Sequence, residues 1–104
     1  MLTQDVVSGL EAALPVAERN RLRDLFPGQI ADRVRQAVAE FLKQFDLSNL
    51  TPEQKQAIFD GVKFFYDTVI RPLDIPYIPA FAETIVEDWI WQGVAAFLKA
   101  KLAL

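Results

Sequence analysis

Apolar residues return along this chain at intervals of three and four, and nowhere do they alternate with polar ones long enough to suggest a strand. The most apolar helical stretch covers 51–70 and runs into a proline-rich connector over 71–79. Thr51 is placed to cap it, Pro52 takes the first helical position where a missing N–H is harmless, and Gln54 completes a capping box. Arg71 precedes Pro72 and is steered out of helical backbone, which ends the element. At about 100° per residue, Ile58, Gly61, Val62, Phe65 and Val69 share one stripe. Phe59, Tyr66 and Ile70 flank it on one side, Ala57 and Phe64 on the other. Only Gln56, Asp60, Lys63 and Asp67 form a polar strip, which predicts a central helix covered on most sides.

Around this axis the pattern predicts further helices. Val6, Val7, Leu10, Ala13 and Leu14 mark a short amphipathic helix over 3–14, bounded by Pro15. A second short helix over 16–26 points Ala17, Leu22, Leu25 and Phe26 inward, and Pro27-Gly28 breaks the pattern. The helix over 29–45 is the most regular, with Ile30, Val34, Ala37, Val38, Phe41, Leu42 and Phe45 on one face. Three prolines within 71–79 forbid helix and favour extended backbone, with Ile75, Tyr77 and Ile78 packing back as a strap and Arg71 pairing with Asp74. A long helix from about 80 closes the chain. The reading is an all-α single domain spanning 1–104, a compact array of four or five helices.

The last helix carries two apolar faces. Ala82, Ile85, Val86, Trp89, Ile90, Gly93, Ala96 and Phe97 form a broad side assigned to the core. Trp91, Val94, Leu98 and Leu102 fall on another side, which is assigned outward as a candidate interface. A Trp among leucines with lysines nearby also fits a helix lying in a membrane surface, or simple coverage by a neighbouring element.

Composition narrows the functions available. Apolar residues make up 52% of the chain, slightly above the usual share, consistent with surface buried by a partner, a ligand or a bilayer. The net charge of −3 argues against a nucleic-acid binder. Arg19, Arg21, Arg23, Arg33 and Arg35 are nevertheless concentrated in 19–35, opposed there only by Asp24 and Asp32, and form a weak candidate for an anionic partner.

The chain has no histidine and no cysteine, which removes the usual general base, thiolate chemistry and the commonest transition-metal ligands. Glu83 and Glu87 lie one turn apart without histidine partners and read as a solvated edge rather than a metal site. No nucleophile elbow, phosphate loop or dinucleotide fingerprint occurs. The expectation is therefore a non-catalytic protein without cofactor or metal, most simply a homodimer through Trp91, Val94, Leu98 and Leu102. The alternative is a lipid or apolar-ligand binder with Phe59, Phe64, Phe65 and Tyr66 lining a pocket. Without cysteines, a leader or a run of about 20 apolar residues, the expected location is cytoplasmic, with a membrane-peripheral position as the variant.

Overall fold

The computed structural model describes residues 3–73 and 78–104, which form five α-helices and, among the described residues, no strand. They are α1 (Thr3–Ala13), α2 (Val16–Arg21), α3 (Pro27–Leu42), α4 (Pro52–Phe65) and α5 (Ala80–Leu102). A 3₁₀ turn, Leu22–Asp24, follows α2, and a second, Leu47–Asn49, precedes α4. The array is all-α with a long last helix, as the apolar periodicity predicts.

Local chemistry sets the helix ends. The Thr51 hydroxyl accepts from the Gln54 N–H at 3.1 Å, and the Gln54 side chain accepts from the Thr51 N–H at 2.8 Å. Those bonds satisfy two of the donors that every helix start leaves open. Pro27 does not break the third helix but begins it, and Gln29 reaches back to accept from the Phe26 N–H at 2.9 Å. The second helix is shorter than expected, because after Arg21 the chain tightens into the 3₁₀ turn. Leu22 is buried there, whereas Ala17 and Phe26 face outward. At the far end, Ala103 takes the left-handed conformation and the Leu104 N–H returns to the Lys99 carbonyl at 2.9 Å, closing α5.

α1 packs along α4, α3 packs along α5, and α1 bridges to α3. The α1–α4 contact requires a bare backbone. A Cβ on Gly61 would lie 2.6 Å from Val6 Cβ and 2.8 Å from both Val6 methyls. One core runs through the array, from Val6, Leu10 and Leu14 of the first helix to Val94, Leu98 and Leu102 of the last.

On α4 the stripe Ile58, Gly61, Val62 and Phe65 is buried, as its spacing predicts. The cover is narrower than expected, though, because Phe64 is half exposed. The burial has moved towards the Tyr66 and Ile70 flank, where α5 lies. Of the connector, Arg71 and Leu73 are described, and Leu73 and Ile78 pack against the core. The expected placing of Ile75 and Tyr77 and the Arg71–Asp74 pair fall outside the described residues.

The helix contacts make opposite forecasts for two glycines. Gly61→Ala forces a branched, near-backbone neighbour to move and should destabilise by about 1–3 kcal/mol despite the better helix propensity. Gly28 has open space where a Cβ would point, so Gly28→Ala should be neutral or stabilising by a few tenths. Urea unfolding of both variants against the parent chain measures the difference.

Candidate functional surface

The rotation of α5 about its own axis decides which side chains the protein presents. It is fixed by contacts from the end of α4. There the helix widens into a π-turn over Tyr66–Ile70, with the Arg71 N–H bonded to the Tyr66 carbonyl five residues back at 2.9 Å. Tyr66 points into the core and its hydroxyl donates to the Glu87 backbone carbonyl at 2.6 Å. Arg71 donates to Asp67 at 2.7 Å and reaches Asp88 at 2.8 Å, while its guanidinium covers the Tyr66 ring at 5.2 Å. Phe59 and Tyr66 hold Trp91 between them, at centroid distances of 5.9 and 5.3 Å.

This arrangement turns over the assignment of the two faces of α5. Val94, Leu98 and Leu102 are fully buried with Ile90, and Trp91 packs against the core beside the Tyr66 ring, so the expected outer face is the inner one. Of the side assigned to the core, Ile90 is buried and Val86 and Phe97 pack against the core, but Ile85 is 70% and Trp89 57% exposed, beside Phe81 at 86%. Both stripes are apolar, so composition alone leaves the phase of the helix open. The polar edge also misled, because the Glu87 side chain is only 15% exposed. A usable signal lay in the bulk of the side chains. Ile90, Val94, Leu98 and Leu102 are large along the whole length, whereas the outer stripe gives way after Trp89 to Gly93, Ala96 and Ala100. A core-facing stripe has to fill space throughout.

The other candidates separate in the same way. Phe65 and Tyr66 are closed into the core, Phe59 stacks on Trp91 and Phe64 faces solvent, so these four part in three directions and do not line one pocket. The enclosed space beside Tyr66, between Leu22, Ile30, Ile70, Leu73, Glu87 and Ile90, amounts to about 10 Å³, room for a single water. Of the arginines, Arg33 is bonded to Glu18 and donates to the Ala13 carbonyl at 3.3 Å, tying α3 to the first two helices. Arg35 pairs with Asp32 and lies over Gly93, and Arg21 and Arg23 are exposed. The Arg19 side chain is half buried, and its Nε has no hydrogen-bond partner. Arg33 and Arg35 thus open onto different grooves. Among the described residues no three acidic side chains converge to hold a metal, and no helix is long and apolar enough to cross a membrane.

Among the described residues, the outer face of α5 is both apolar and open. Beside it a shallow groove of about 290 Å³ runs between α3 and α5, lined by Ala31, Arg35, Trp89, Gln92 and Gly93. No protein-family model, curated protein or solved structure matches the chain at a significant level.

Burial also sorts the titratable groups. It pushes the Tyr66 phenol above its ordinary value, although Arg71 pulls the other way. Burial likewise raises the Glu87 carboxyl, partly offset by Arg71. For Asp67 burial acts upward, but hydrogen bonds from Lys63 and Arg71 outweigh it and hold the carboxyl below its usual range.

Two outcomes follow. Leu98→Ala should cost about 2–5 kcal/mol of stability, while Trp89→Ala should stay within about 1 kcal/mol, as read by urea unfolding. Asp67 contributes stability above the ordinary aspartate value and loses it as pH falls through its lowered value, whereas the raised Glu87 contributes most at low pH and loses it as pH rises. Asp67→Asn should therefore be destabilising at pH 7, with the deficit fading in acid, and Glu87→Gln should be neutral or stabilising at pH 7. Paired denaturation curves at pH 7 and pH 3 check both signs.

Proposed function

We propose that this protein is a non-catalytic helical interaction module that associates with a second copy of itself through the outer face of α5. The observation that carries the reading is the row of Phe81, Ile85 and Trp89, one turn apart, all more than half exposed on a helix whose opposite face is fully buried. Large aromatic side chains of this kind are what protein interfaces enrich at their centres.

Their open area is roughly 400 Å², comparable with the largest apolar patch expected on a monomer. The open groove beside Trp89 and the small residues further along α5 extend the face towards the roughly 800 Å² that each partner contributes to a stable contact. A second copy supplies the same surface, so an isologous contact needs no other component. The absence of histidine and cysteine, and of any catalytic motif, supports a non-catalytic role. Asp88, exposed on the flank of this row, weighs against an anionic bilayer, where interfacial helices carry lysine and arginine instead.

Light scattering over rising protein concentration should approach twice the 11.8 kDa of one chain. Trp89→Glu should weaken association by about 30-fold or more, as expected for an interface hot spot, with the helical circular dichroism unchanged. A single-chain mass at every concentration would remove the reading.

A further inference from the structure

The outer face of α5 is uneven along its length in two ways. Its first half is bulky, with Phe81, Ile85 and Trp89 outward and the exposed Asp88 on one flank. Its second half is low, with Gly93, Ala96 and Ala100 along the same stripe and the exposed Lys99 on that same flank. Gly93 keeps the middle of the face close to the backbone. The Arg35 guanidinium occupies the space there, 3.1 Å from where a Cβ would stand.

We infer that two copies pair antiparallel along α5, with the two-fold axis between Gln92 and Gly93. The inference rests on the self-association proposed above and adds its direction and register. In this register Trp89 of one copy lies over Ala96 of the other and Ile85 over Ala100. Each large side chain meets a small or open position, which is how interfaces reach the packing density of interiors. Asp88 of one copy and Lys99 of the other lie on flanks that meet. Both already have intramolecular neighbours: Arg71 bonds Asp88 at 2.8 Å, and the Lys99 ammonium sits 5.6 Å from the Phe59 ring. The charge match across the pair is this one contact, made twice by the two-fold axis.

A parallel pairing has neither property. It sets Trp89 against Trp89, leaves a gap along the alanines and parts Asp88 from Lys99. The helix dipoles also favour the antiparallel arrangement.

The chain has no cysteine, so each introduced thiol reports alone. Gln92→Cys, beside the axis, should oxidise to a disulfide-linked dimer. Ala100→Cys should not link to itself, because the two copies of that position lie roughly 22 Å apart in this register. Mixed with Ile85→Cys, however, the Ala100→Cys chain should form the hetero-dimer. A size swap gives an independent reading. Ala96→Trp should weaken association about tenfold or more by setting two indoles against each other, and adding Trp89→Ala should restore it. Light scattering on the parent chain separates the two levels of the argument. A monomer removes both the self-association and this geometry. A dimer in which Ala100→Cys links to itself, or in which neither Gln92→Cys nor the mixed pair links, removes the antiparallel register and leaves self-association standing.

Discussion

The hydroxyl of Tyr66, donating to the Glu87 carbonyl at 2.6 Å, is the constraint on which the outward character of this protein depends. A buried phenol without a partner would carry a desolvation cost of about 1–3 kcal/mol, so the bond is obligatory once Tyr66 is inside. It can be made only in a narrow range of rotations of α5. Arg71, reaching Asp88 from the other side of the same ring, closes that range further. The widened turn at the end of α4 makes both contacts possible, because it places Tyr66 inside and Asp67 with Arg71 at the rim. One local irregularity in α4 thus sets which half of α5 is core and which half is surface.

The same constraint explains why the interior offers little to a ligand. Tyr66, Phe59 and Trp91 fill the space between the two helices with rings in edge and tilted contacts. What is left has room for about one water. Two further close approaches, Gly61 on Val6 and Gly9 on the Phe41 ring, seal α1 onto the array. An aromatic-rich centre can be a binding pocket only if something keeps the rings apart, and here the helix spacing does the reverse.

Much of the architecture was legible in the residues. The capping box at Thr51 and Gln54, the one-sided pattern of α3 and the buried stripe of α4 each follow from a local rule that the tertiary structure leaves intact. The face of α5 was not legible in that way. Twenty-three residues with apolar side chains nearly all round have no phase of their own, and the tie is broken by Tyr66 and Arg71, contacts about twenty residues away in sequence. Charge was an unreliable guide because Glu87 looks like a solvated edge in the sequence and is mostly buried in the structure. The arginine group failed for a related reason. Arg33 and Arg35 are taken up by Glu18 and Asp32, pairings that closeness in sequence suggests only for the second.

A helix that is apolar on both sides is costly to leave half covered. The area rule of about 25 cal/mol per Å² makes three large exposed side chains a standing drive towards association. In most chains this drive is blunted by scattering such residues, yet here they stand in one row and at one end. The asymmetry matters more than the area. A uniform apolar stripe would accept a partner in many registers and directions, which favours aggregation over a defined assembly. A stripe that is large at one end and small at the other has one direction in which it complements itself. Tyr66, by fixing the rotation of α5, turns an apolar excess into a surface with direction.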